Sequence, residues 1–370
     1  MSILELIKIS FTSLRANLLR TSLTVLGIVI GISSIIIVFS AGEGIKSLIL
    51  AQVESFGTNI IETETKIPST KKGAAADTQS GAAMAQGVQV TTLTLYDMED
   101  INNIPNVKRS YANILSQDQA SYENESKKVF LLGASSAYVD IDKSEIDYGR
   151  FFTEAEDKSL AQVVVLGSKI KDKLFGDSDP IGKSVKLHSS KYVVIGVMKP
   201  RGAVMTMDFD DYVYVPIRTL QKKIMGINHV LYMVHELEDV SLADDTAEEI
   251  KYILRANHDI SDPAKDDFRV TTMQEMMSML DTVTGALTLL LLAIVAVSLV
   301  VGGVGIMNIM YVIVSERISE IGLRKAVGAK YADIMLQFLT ESVLVTLIGG
   351  VVGIVLGVIV SLGIAFGAKK

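Results

Sequence analysis

Hydrophobic positions gather into three long runs, and the chain between the first and second run alternates on a much shorter scale. No charged residue stands between Arg20 and Glu43, between Asp281 and Glu316, or between Glu341 and Lys369, giving runs of 22, 34 and 27 residues. A hydrocarbon core about 30 Å thick takes about 20 helical residues, so each run is long enough to span a bilayer. The second run would reach about 50 Å as a helix and is predicted to project as a stalk on the side of the large domain. A fourth uncharged run, Thr78 to Tyr96, is rich in Gln, Thr, Gly and Ala and reads as a loop.

The shorter periods predict the rest. Ile3, Leu6, Ile7, Phe11, Leu14 and Leu18 share a helical face with Lys8 and Arg15 off it, as in a helix lying in the membrane interface or a plain extension of the first span. Ala41-Gly42-Glu43-Gly44 interrupts the pattern, and a second helical run follows through Phe56. A strand at 59–65, a mobile loop at 66–90, a helix at 95–103 and a strand at 107–115 make a first β-α-β unit. Between 116 and 215 the pattern turns to short β-like runs at 128–132, 162–166, 184–187, 192–197 and 212–215, separated by turn residues. A strand at 230–236, an amphipathic helix at 241–256 and a strand at 268–271 repeat strand-helix-strand. The expected fold class is a membrane protein with three transmembrane helices and an α+β extracytoplasmic domain, its β-rich piece inserted between the halves.

Charge orients this arrangement. Residues 1–42 carry net +2, residues 282–370 net +2, and residues 43–281 net −11. Short basic loops stay in the cytoplasm while long domains translocate largely regardless of charge. The N-terminus is therefore expected inside, 43–281 outside, and the loop around 315–335 inside. Ser40-Ala41-Gly42 vaguely resembles a signal-peptide cleavage site, but the apolar stretch before it is span-length, so the segment is read as retained. With no cysteine, no disulfide staples the outer domain, and about 240 residues bury a core without one.

Several blocks now carry a resemblance. They are Leu14-Arg15-Ala16-Asn17, Leu23 to Ile28, Gly42-Glu43-Gly44 and Phe56-Gly57-Thr58-Asn59 near the first span. Gly149 to Thr153, Val163 to Gly167, Leu174-Phe175-Gly176, Asp179 to Lys183 and Val194 to Val197 follow in the outer domain. The most specific block is Gly302 to Met310 leading into Ser315-Glu316-Arg317 and Glu320 to Ala329. In this order they resemble the MacB/FtsX-like family of ABC transporter permeases, of the type whose ATPase is a separate chain.

The resemblance implies an interfacial helix at 1–20, spans at 21–42, 282–314 (with the stalk) and 336–368, and a coupling segment at 315–335. It also implies a porter-like domain in two parts, 43–115 and 221–281, around a β-rich Sabre-like insert at 116–220. Such permeases pair as homodimers or heterodimers, sit in the lipid bilayer and bind a cytoplasmic ATPase, in some cases with an extracytoplasmic adaptor. ATP and magnesium belong to that ATPase, so no cofactor is expected in this chain, and no nucleic-acid partner. The family pattern has four spans. Only three precede Lys370, so a fourth is expected to be cut away, encoded elsewhere or absent from a shortened member.

Candidate chemistry lies in the 315–335 stretch. Ile318, Ile321 and Val327 offer apolar contacts, and Glu316, Arg317, Glu320, Arg324 and Lys325 offer charges that a soluble partner can read, with Gly328 closing the helix-like part. Composition alone favours a solvated positive-inside loop, while the resemblance favours a lever coupled to an ATPase. Gly27 and Gly31 in the first span, and Gly302, Gly303 and Gly305 in the second, either allow close helix contact or are tolerated membrane glycines. Glu341 either marks the membrane interface or pairs with a basic residue of the loop.

Other signals are weak. Gly176 to Ser184 has five residues between its glycines where a P-loop needs four, so no nucleotide site is assigned. His229 with His235, and Asp208 with Asp210 and Asp211, lack metal-motif spacing. Met273, Met276, Met277 and Met279 read as adaptable packing at the stalk base. Two functions follow from the resemblance. One is a permease that transmits ATP-driven motion to the outer domain to export hydrophobic or peptide-like substrates. The other is an FtsX-like regulator that activates an extracellular hydrolase. A ligand sensor with no ATPase is a third class.

Overall fold

The structure, a computed structural model, describes residues 18–55, 57, 59–67, 90–204 and 207–368. The interfacial helix expected at 1–20 and the loop expected at 66–90 lie almost wholly outside them. The chain forms two compact units, one of residues up to 49 and from 279 onward, the other of residues 50–278.

In chain order the elements are α1 (Leu18–Ser55), β1 (Ile60–Thr65), α2 (Leu95–Ile101), β2 (Val107–Tyr122) and β3 (Glu125–Ala134). Then come α3 (Tyr138–Ile141), β4 (Ile146–Gly149), α4 (Glu154–Lys158), β5 (Val163–Leu166), α5 (Ser168–Phe175), β6 (Ser184–Leu187) and β7 (Ser190–Met198). After β8 (Ala203–Val204) and β9 (Met207–Asp208) follow β10 (Tyr212–Pro216), α6 (Ile217–Thr219), β11 (Tyr232–Leu237), α7 (Ala243–Asn257) and β12 (Phe268–Thr272). Three helices close the chain: α8 (Met273–Glu316), α9 (Ile318–Ala326) and α10 (Tyr331–Ala368).

The larger unit is built on a ten-stranded mixed sheet in the order β12-β1-β11-β2-β3-β10-β5-β7-β4, with β6 paired to β2 and β7. At one end β1 runs antiparallel to both β11 and β12, and β11 antiparallel to β2. The two β-α-β units therefore interleave: each helix crosses over and leaves a gap that a strand of the other unit fills, the split β-α-β arrangement. Inward residues of β1 (Ile61, Thr63, Thr65) alternate with half-exposed ones, as a strand with one face covered requires. Helix α7 turns Ala247, Ile250 and Leu254 onto that face. Helix α2 starts on a capping box in which the Thr94 N–H donates to Asp97 Oδ2 at 2.7 Å. On the other face of the sheet a second core gathers Tyr111, Tyr138, Phe151, Phe152, Tyr212 and Tyr214. β10 is buried at all five positions because it pairs with both β3 and β5 and is covered on both faces.

Two features differ from the sequence-based expectation. β2 runs unbroken across residues 115–116, where the β-rich insert was expected to begin: its first half pairs with β11 and its second with β3 and β6. Short helices α3, α4 and α5 also interrupt the stretch read as mostly β.

Among the described residues, three helices are long and apolar enough to cross a bilayer, with spans at Val25–Ser47, Met273–Glu316 and Tyr331–Ile364. Helix α1 does not break at Ala41-Gly42-Glu43-Gly44. Two glycines cost a helix about 1 kcal/mol each, a penalty tertiary contacts readily override. Here Gly42 lies against Thr288 of α8, and Lys46 forms an ion pair of 2.7 Å with Asp281. Helix α8 is a single helix of 44 residues, about 66 Å long and twice the hydrocarbon thickness. Helix α10 begins at Tyr331, five residues earlier than expected.

Candidate functional site

The short helix α9 and the three long helices of the membrane unit form the candidate site. α9 is set off from α8 at Arg317 and ends at Gly328, whose φ of +95° a residue with a side chain rarely adopts. Glu320 lies in its first turn and Arg324 and Lys325 in its last, each on the side that the helix dipole favours.

The structure draws some of the expected residues together and leaves others apart. Arg324 donates to Glu320 one turn earlier at 2.5 Å, and to Gln337 Oε1 of α10 at 2.7 Å. Lys325 Nζ sits 5.4 Å from the centre of the Tyr331 ring. Ile321 and Arg317 are half-buried, while Glu316 is exposed at the end of α8. Leu323 and Val327, four residues apart on one stripe beside Glu320 and Arg324, are 70% and 84% exposed. Glu341, whose pairing was open, is buried in the membrane unit at 3% exposure.

The glycines divide in the same way. A Cβ on Gly27 would lie 3.9 Å from Gly302 Cα, and one on Gly31 would lie 3.3 Å from Leu299, so both close the α1–α8 contact. Gly303 and Gly305 meet nothing within 4 Å among the described residues, so they are not part of that contact. Three other glycines approach α1 more closely. A Cβ on Gly349 would lie 2.9 Å from Ile28, on Gly353 3.1 Å from Ile32, and on Gly357 3.0 Å from Ile36. This α1–α10 seam was missed by the reading of the sequence, although its signal, glycine at every fourth position from 349 to 357, was available.

In the larger unit the candidate ligand groups are spoken for. His235 is fully buried, and burial pushes its imidazole down to about 3, so it is neutral. Its Nδ1 lies 2.7 Å from Ser110 Oγ and its Nε2 3.2 Å from Thr63 Oγ1. Burial likewise lowers His229. Asp208 and Asp211 pair with Lys169 and Lys127, and Asp210 accepts the N–H groups of Arg201 and Gly202. Near Asp210, Arg201 is clamped between Asp142 at 2.5 Å and the Phe209 ring at 5.1 Å, beside a cleft of about 290 Å³. Gly176 to Ser184 forms the turn between α5 and β6 and the start of β6.

An α+β domain that follows one helix of membrane-spanning length in the chain and precedes two more, these two linked by a short amphipathic helix, defines a membrane protein of permease type carrying an extracytoplasmic domain. Residues 21–253 match the family model for the MacB-like periplasmic core domain, and residues 292–368 match that for the FtsX-like permease C-terminal domain. The chain belongs to the MacB/FtsX-like family of ABC transporter permeases. Among its relatives is the macrolide export ATP-binding/permease protein MacB of Wolinella succinogenes, 34% identical over 98% of this chain and 54% of that protein. MacB of Bdellovibrio bacteriovorus is 34% identical over 94% of this chain and 52% of that one. The chain thus spans about half the length of these curated relatives. Among solved structures, the periplasmic region of MacB from Actinobacillus actinomycetemcomitans shares the fold, with a TM-score of 0.50 and 20% identity over 62% of this chain and 95% of that one.

Proposed function

We propose that this chain is the permease subunit of an ABC transporter that works by mechanotransmission. A separate cytoplasmic ATPase binds α9, and ATP binding and hydrolysis, with the nucleotide and magnesium held by that ATPase, move the membrane helices. The motion passes to the outer domain, which exports peptide-like or hydrophobic substrates from the outer side of the membrane. In this reading the N-terminus and α9 face the cytoplasm, residues 43–281 face outward, and a second permease copy or homologue completes a dimer, with an extracytoplasmic adaptor as a further partner.

The observation that carries the reading is α9. An amphipathic helix only nine residues long presents Leu323 outward, and its C-cap residue Val327 stands exposed beside it, where burial against a partner would gain about 1.5–3 kcal/mol for each side chain. Its charges are meanwhile tied to its own helix and to α10. The test is co-purification of the full chain from native membranes. An ABC ATPase is expected with the wild type and is expected to be lost from Leu323→Glu and Val327→Glu. An ATPase retained at wild-type level by both variants removes α9 as the docking surface. A wild type that brings down an extracellular hydrolase and no ATPase selects the regulator reading.

A further inference from the structure

One row of α10 has an unusual regularity. Among the described side chains from Tyr331 onward, the buried ones are Ile334, Gln337, Glu341, Val345, Gly349, Gly353 and Gly357. From Gln337 onward they recur at every fourth residue. One step further, the Ser361 hydroxyl meets that of Ser40. The facing row on α1 (Ile28, Ile32, Ile36 and Ser40) has the same spacing. Two rows of period four interlock as ridges in grooves. Glycine brings the backbones together, to 3.2 Å between a Cβ on Gly353 and the Val29 carbonyl oxygen, and isoleucine supplies ridges that are stiff at χ1. The lower end of the same row is Gln337, which is 95% buried and accepts from Arg324 of α9.

We propose that α1 and α10 form one rigid lever, and that Gln337 and Arg324 are positioning residues that hang the coupling helix on it. This rests on the reading of α9 as the ATPase contact and names how load leaves that contact. Close-packed interfaces transmit displacement and do not deform continuously, so a push on α9 that passes through the Arg324–Gln337 bond moves both spans together.

The experiment uses the full chain with its co-purified ATPase in nanodiscs. The chain has no native cysteine, so engineered pairs are its own labelled sites, and the ATPase with the unsubstituted chain, labelled in parallel, gives the background to subtract. Spin labels at Ser319 on α9 and Phe39 on α1, both exposed, measure the lever's length. Between the nucleotide-free and vanadate-trapped states the distance is expected to change by less than half a helical turn, about 3 Å. In Arg324→Ala and Gln337→Leu it is expected to shift or broaden beyond that, with the ATPase still bound, and Arg324→Lys, which keeps a donor, is expected to restore it.

Separately, Ile36→Cys with Gly357→Cys brings the two Cβ atoms to 3.0 Å, closer than the roughly 3.8 Å of a disulfide, so the two helices part by somewhat less than about 1 Å to close the bond. Oxidation is expected to leave ATP turnover within about twofold, a barrier change of about 0.4 kcal/mol. A wild-type distance change of a full turn, turnover abolished by oxidation and restored by reduction, or variants that behave as wild type would each overturn the proposal while leaving ATPase binding intact. Absence of any ATPase from the wild-type preparation instead overturns the parent reading, and the lever with it.

Discussion

His258 gives the most quantitative prediction. It stands at the end of α7 with its side chain 5% exposed, its ring edge-on to Phe268 at 5.8 Å. Burial alone would push the imidazole down. Asp267 Oδ1 at 2.7 Å from Nδ1 and Asp97 Oδ2 at 3.5 Å from Nε2 outweigh it and hold the ring up at about 9. Both carboxylates are held below their ordinary range against the cost of burial, with His258 the largest favourable partner of each. A folded-state value above the unfolded 6.5 means that the folded protein binds the proton more tightly. The stabilisation is therefore complete below about pH 6.5 and is lost as pH rises through about 9.

The difference of about 2.5 units corresponds to about 3 kcal/mol at 1.36 kcal/mol per unit. The 3.5 Å contact to Asp97 is longer than a good hydrogen bond, so about 2 kcal/mol is the expected value. Urea denaturation of a fragment covering residues 57–272, followed by circular dichroism, compares wild type with His258→Gln. The wild type is expected to be more stable by about 2 kcal/mol at pH 6, with the gap closing toward zero by pH 10. A gap that stays constant over that range would show that His258 acts through shape alone and would refute the argument.

Two further outcomes follow from packing. Gly353→Leu forces side-chain atoms into Ile32 and the Val29 carbonyl and is expected to cost about 1–3 kcal/mol, read as earlier loss of the monodisperse peak on heating in detergent. Gly303→Leu, with nothing within 4 Å of its Cβ position among the described residues, is the matched control and should leave that profile unchanged. Arg201→Ala leaves the 3%-exposed Asp142 without its guanidinium and is expected to cost about 3 kcal/mol in the same urea assay, whereas loss below about 0.5 kcal/mol would mean that the pair is structurally idle.

Most of the element list was legible because the periods are strong. The expected strands β1, β3, β5, β6, β7, β10, β11 and β12 and the helix α7 fall within a few residues of their places, and α9 ends at Gly328 as its pattern implied, while the overlong β2 and the short helices α3, α4 and α5 left no such local signal. Helix α1 was misread at Gly42 because local propensity argues for a break and only the contacts with Thr288 and Asp281 decide against one.

The sequence by itself determined the three spans, the charge asymmetry, the two β-α-β units and the family blocks, because these depend on composition and spacing within a few turns or strands. Only the tertiary structure decided that the two units interleave in one sheet with the β-rich part, since strand pairing joins residues such as Ile61 and His235 across 174 positions. It also decided which glycines matter. Gly27, Gly31, Gly302, Gly303 and Gly305 look alike in sequence, yet a glycine acts only where another backbone arrives. The every-fourth glycines Gly349, Gly353 and Gly357 mark one side of a seam in the sequence, but that Ile28, Ile32 and Ile36 fill it is set by the rotation of each helix about its own axis, which only the fold decides.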